Sequence, residues 1–221
     1  MEFDKELSLP LPEGDEVRYG FFFGGRDTVF IKSGAGGSHR GYGDKYVKMA
    51  HLLRDEGGYT VICASNPGED SFRKADRLLL ERMQDTQKGE LSYIGASMGA
   101  TQGLILATEH FAFRRMLLIN MPLMINFHKV KEALGRAEAD ITFVYGEGDP
   151  SYPYLPYLEQ AAERTSHIGE RRIEVIEGAD HNFGGHLEEF IALGRLLLPH
   201  QKERMHIWAK PKPLYKQKEQ E

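Results

Sequence analysis

The chain has 221 residues, 41% of them hydrophobic, with 28 lysines and arginines against 33 aspartates and glutamates. That length suits one globular domain with a full core, and a net charge of -5 has the wrong sign for neutralising phosphates, so no nucleic-acid partner is expected. No apolar run approaches the roughly 18 residues of a bilayer span, the lone Cys63 excludes an intramolecular disulfide, and the nine histidines show no metal-ligand spacing, so no metal is expected.

The start Met1-Glu2-Phe3-Asp4 is acidic and lacks the basic and apolar regions of a secretory signal, so a cytoplasmic location is expected. Residues 16–23 and 28–32 read as neighbouring strands joined by Gly24-Gly25-Arg26-Asp27. The second feeds a glycine-rich loop, Ser33-Gly34-Ala35-Gly36-Gly37-Ser38. A helix over 44–56 presents Tyr46, Val47, Met49, Ala50, Leu52 and Leu53 on one face, and the strand around Val61 follows, with Cys63 as a packed thiol.

Further elements alternate: a helix over 71–83, a strand from Leu91, and a helix carrying Leu104, Ile105 and Ala107. After them come a strand over 116–120, a short helix over 130–137, a strand over 141–145, a helix over 154–166 and a strand over 172–176. Such alternation predicts a mostly parallel sheet covered by helices on both faces, with ligands at the carboxyl ends of the strands. The interval between the strands at 116 and 141 has room for little more than one helix. Residues 1–200 are expected to form one domain, and 201–221, with six basic residues around Trp208, an extended solubilising tail or a means of docking to an anionic surface or partner.

Within 91–100, Gly95-Ala96-Ser97-Met98-Gly99 has the form G-x-S-x-G between an apolar strand and a helix. That is the pattern of a nucleophile elbow, where the residues two before and two after a strained serine must be nearly bare. Downstream, Gly146-Glu147-Gly148-Asp149 and Gly178-Ala179-Asp180-His181 each follow a predicted strand end. The chain order Ser97, Asp149, His181 is nucleophile, acid, base. On these residues and the glycine loop, the chain resembles the α/β-hydrolase superfamily over about residues 15–198, in particular its small serine esterase, lipase and serine-aminopeptidase-like members.

The resemblance implies an α/β-hydrolase fold with a mostly parallel sheet of about eight strands and, because the interval between the strands at 116 and 141 is too short for the cap that many members insert there, little or no cap and a shallow site. It also implies a cofactor-independent serine hydrolase in which His181 is the base for Ser97 and Asp149 orients His181. Glu147 and His186 are the substitutes for Asp149 and His181. Met98 N–H and a loop N–H, that of Ala35 or Gly36, would hold the oxyanion. The family usually carries histidine where this chain has Ser33, which leaves the choice between Ala35 and Gly36 open.

Gly34 and Gly36 would border the small-molecule acyl substrate, an ester or thioester. The stretch Met121-Pro122-Leu123-Met124-Ile125-Asn126-Phe127 either holds an acyl chain, through Met121, Leu123 and Met124, or tucks against the core. His39, Arg40 and Tyr42 either reach a polar end of the substrate or form a solvated approach to the next helix. A nucleotide-binding reading of Gly34-Ala35-Gly36-Gly37 fails, because G-x-G-x-x-G would need glycine at His39 and no acidic residue ends the next strand. The remaining alternatives are a noncatalytic protein of the same fold and an acyltransferase using the same triad.

Overall fold

The computed structural model describes residues 2–11, 14–68, 71–86, 89–109, 111–125 and 127–198. The expected tail and Trp208 lie outside these residues, as does Asn126. Among the described residues are the strands β1 (Lys5–Pro10), β2 (Glu16–Phe22), β3 (Thr28–Lys32), β4 (Thr60–Ala64), β5 (Leu91–Ala96), β6 (Phe113–Ile119), β7 (Asp140–Gly146) and β8 (Arg171–Ile176). They form one sheet in the order β1-β2-β4-β3-β5-β6-β7-β8, with β2 antiparallel to both its neighbours, β1 and β4, and every other pair parallel. The helices are α1 (Lys45–Gly57), α2 (Arg77–Thr86), α3 (Met98–Glu109), α4 (Phe127–Leu134), α5 (Leu155–Thr165) and α6 (Leu187–Ala192). The predicted helix over 71–83 is a π-helical turn, Ser71–Asp76, continued by α2.

Period-two alternation divides each central strand between two cores. Val29 and Ile31 of β3, Val61 and Cys63 of β4, and Leu117 and Ile119 of β6 pack with Val47, Met49 and Leu53 of α1 and Phe190 of α6. Their alternates Phe30, Ile62 and Leu118 pack with Leu80 of α2, Leu104 of α3, Val130 of α4 and Leu158 of α5. Burial of Cys63 pushes its thiol well above the usual range. No helix of the described residues is long and apolar enough to cross a membrane.

Two strand expectations are corrected. β2 and β3 are not neighbours, since β4 lies between them. The connecting glycines instead pass close under the start of β4: Gly25 N–H donates to Gly58 O (2.6 Å) and Gly24 N–H to Thr60 Oγ1 (3.0 Å). A Cβ on Gly24 would stand 2.2 Å from Tyr59 O, so the crossing requires glycine. β1 was not foreseen; it pairs with β2 through backbone hydrogen bonds while its side chains stay mostly exposed, leaving little pattern to read.

At the end of β3, Lys32 is fully buried, its Nζ 2.5 Å from Asp76 Oδ2 and donating to Ser65 O (2.7 Å). Tyr19 donates its hydroxyl to Asp76 Oδ1 (2.7 Å). Burial pushes the Lys32 ammonium down and the Asp76 carboxyl up, each partly opposed by the other's charge. Asp76→Ala would strand the ammonium, and equilibrium unfolding is expected to show a loss of about 3–5 kcal/mol. Replacing the pair together, Lys32→Met with Asp76→Leu, should recover most of that loss.

Candidate active site

β5 delivers Ser97 at its carboxyl end with φ 52°, a left-handed conformation that L residues adopt only at a cost. Its N–H donates to Ile119 O (2.8 Å), which continues the pairing with β6, and Ala100 N–H donates to its carbonyl (2.9 Å) to start α3. A Cβ on Gly99 would lie 2.4 Å from Ser33 O, and one on Gly95 2.6 Å from Ala100 N. Both glycines are therefore demanded by the backbone packing that holds the serine in place.

The turns after β7 and β8 are bonded to each other: Glu147 N–H donates to Ile176 O (3.0 Å) and Gly148 N–H to Ala179 O (2.8 Å). Asp149, 3% exposed, accepts Ser151 N–H at Oδ1 (2.6 Å) and faces His181 Nδ1 through Oδ2 (2.5 Å). His181 Nε2 stands 3.0 Å from Ser97 Oγ. The carboxylate sets the ring proton on Nδ1 and leaves Nε2 to accept the serine hydroxyl. The hydrogen bond to Asp149 raises the pKa of half-buried His181 above its ordinary 6.5, partly opposed by desolvation.

Asn120, which sequence reasoning missed, ties the turns beside Ser97 together. It follows β6 with φ 47°, accepts Gly146 N–H at Oδ1 (2.9 Å), and donates from Nδ2 to the carbonyls of His181 (2.8 Å) and Asp180 (3.2 Å). One amide thereby joins three strand ends. An asparagine closing an apolar strand, where αL geometry is tolerated, was the available signal.

The glycine loop lies against the serine: a Cβ on Gly34 would be 3.2 Å from Ser97 Cβ. Its anchor is Asn66, which takes Gly36 N–H on its carbonyl (2.7 Å) and donates its own N–H to Gly37 O (2.9 Å). From Nδ2, Asn66 also donates to Ser33 O and to Gln102 Oε1 of α3, both at 3.0 Å. Ser33, at the position expected to differ from the family, donates its hydroxyl to Gly37 O (2.9 Å). Gly36 N–H is thus already engaged, whereas Ala35 is exposed.

No family model matches the chain, and no curated protein matches its sequence. Solved structures do match. An α/β serine hydrolase without lid from Xanthomonas campestris is 18% identical, with a TM-score of 0.67 over 94% of this chain and 96% of that one. An α/β serine hydrolase homologue from Coxiella burnetii is also 18% identical, with a TM-score of 0.65 over 89% and 99%. An esterase from Pyrococcus furiosus is 14% identical, with a TM-score of 0.67 over 87% and 91%.

The chain has the α/β-hydrolase fold. Between β6 and β7, where many members of this fold carry a cap, the described residues hold α4 alone, eight residues long. The substitutes named from the sequence are engaged elsewhere. Glu147 Oε2 accepts Gly178 N–H (3.1 Å), and His186 precedes α6 and faces Glu189 (3.6 Å). Asp180 accepts Asn182 and Gly184 N–H to fix the His181 turn, which holds its carboxyl below the usual range.

At the stretch after β6, burial favours the core alternative for Met121 and Leu123. Met121 and Leu123 are buried in the core, 0% and 2% exposed, because Tyr145 donates to Met121 O (2.9 Å) and Leu123 N–H donates to Ser151 Oγ (3.1 Å). Met124 and Ile125 remain exposed. His39 is neither a substrate contact nor a solvated residue: it is buried, 2.8 Å from Glu6 of β1 and stacked on Phe3. Arg40 pairs with Asp44 (2.9 Å), and Tyr42 is exposed. A cavity of about 470 Å³ opens beside Met98 and follows α3, walled by Thr101, Ile105 and Val130 and by Pro122 and Ile125 of the stretch after β6.

Proposed function

We propose that this chain is a serine hydrolase that cleaves a carboxylic ester or thioester of a small to medium acyl substrate. The observation that carries the reading is the unbroken chain from Asp149 Oδ2 through His181 to Ser97 Oγ, with contacts of 2.5 and 3.0 Å. Similarity in fold to an esterase and to serine hydrolases supports it. In the reaction, His181 Nε2 takes the Ser97 proton as Oγ attacks the carbonyl carbon, and the tetrahedral oxyanion is held by Met98 N–H and Ala35 N–H. Collapse breaks the bond to the leaving oxygen or sulfur, which receives the proton from His181. Water, deprotonated by the same imidazole, then releases the acid from the acyl-serine.

The decisive experiment is labelling of the purified protein with a fluorophosphonate, located by peptide mapping. Modification confined to Ser97 is expected. Native protein that stays unmodified while denatured controls behave identically would favour a noncatalytic protein of this fold.

Asn66 acts on this reaction only by positioning the loop that carries Ala35. Asn66→Ala is expected to reduce kcat by on the order of 100-fold, because a small misplacement of an oxyanion donor is costly. KM should change little, and a loss confined to KM or to thermal stability would assign Asn66 a structural role instead.

A further inference from the structure

Resting on the hydrolase reading, we propose that the cavity along α3 is the acyl subsite and that Lys129 makes it selective for acyl groups ending in a carboxylate. His181 must hand its proton to the leaving group, so the leaving group lies on the His181 side of Ser97. None of the cavity's lining comes from the turns after β7 or β8, whereas Met98, the residue next to the nucleophile, belongs to it. The acyl chain, on the opposite side of the carbonyl carbon, is therefore directed along α3. From Met98 to Ile105 is seven residues, or about 10 Å of helix, and Ile105, Pro122, Ile125 and Val130 offer apolar surface over that length.

The charges at this cavity are unequal in what they have left to bind. Arg77 is committed, with Nε 2.9 Å from Glu81 and Nη1 3.3 Å from Glu109. Lys129, exposed at the rim in the first turn of α4, has no ion-pair partner among the described residues. Among the lining residues Arg77 and Glu109 offset one another and Lys129 adds one positive charge, while Glu81, outside the lining, shares Arg77 with Glu109. Thr101 adds a hydroxyl that is buried without a hydrogen-bond partner. A cavity that combines apolar walls with one unpaired ammonium and a spare hydroxyl matches an acyl chain that carries an anion, as in the monoester or monothioester of a dicarboxylic acid.

The test uses two alkyl fluorophosphonates of equal chain length, one ending in a carboxylate and one in a methyl group, with the alkyl chain on phosphorus standing for the acyl chain. The rate of Ser97 labelling is read by intact mass. The native protein is expected to react about tenfold faster with the carboxylate probe, the size of one charged hydrogen bond. Lys129→Met should abolish the preference and Lys129→Glu should reverse it, each read as the ratio of the two probes' rates within one protein. Equal rates in the native protein, or a preference that survives Lys129→Met, would overturn the proposal and leave the hydrolase reading standing. Failure of both probes to label Ser97 would overturn the two together.

Discussion

Ser97→Ala is expected to lower turnover of an activated ester about a million-fold and to end fluorophosphonate labelling. The substitution removes only Oγ, whose hydrogen bond is to His181 Nε2 (3.0 Å). The backbone that holds position 97 at φ 52° is maintained by the hydrogen bonds of Ser97 N–H to Ile119 O and of Ala100 N–H to Ser97 O, which alanine keeps. Thermal unfolding should therefore stay within a few degrees of the native protein. Because the three side chains act as a unit, His181→Ala should cost about as much, and the double variant scarcely more. Retention of full activity in Ser97→Ala would refute the assignment.

Asp149→Asn should cost on the order of 10⁴ in kcat while preserving the fold. Asp149 Oδ1 accepts Ser151 N–H and Oδ2 faces His181 Nδ1. An amide that keeps its oxygen on Ser151 turns its NH₂ toward Nδ1, which must then become the acceptor. The ring proton moves to Nε2, where it faces Ser97 and blocks proton transfer.

The same change has a sign in pH. The base must be neutral to act, and hydrogen bonding to Asp149 raises the His181 pKa above 6.5. The native kcat/KM should accordingly rise with pH along an acid limb whose midpoint lies above 6.5. In Asp149→Asn the residual activity should show that limb at lower pH, because its cause has been removed.

Legibility differed with the kind of constraint. The strand β3 was readable because its centre, Val29, Phe30 and Ile31, is buried between two helical layers, and an unbroken apolar run records that. The elbow was readable because its glycines answer a local steric demand, visible in the 2.4 Å that a Cβ on Gly99 would leave to Ser33 O. Met121 and Leu123 show the opposite case. Their apolar character fits a substrate channel and a core equally well, and the hydrogen bonds from Tyr145 and to Ser151 that draw the segment inward come from another strand and its turn.

By itself the sequence determined the alternation of strands and helices, the glycine-flanked serine, and the placing of Asp149 and His181 at strand ends. Each is written in residues close together in the chain, as periodicity or as backbone sterics. Only the tertiary structure decided that β4 separates β2 from β3, that Lys32 is buried against Asp76, and that Asn66 and Asn120 tie the loops around Ser97 into one frame. It also decided that the open cavity lies along α3. The physical reason is the same throughout: a hydrogen bond or ion pair between distant positions leaves no periodic trace, and a buried lysine or asparagine looks like a solvated one until its partner is folded against it.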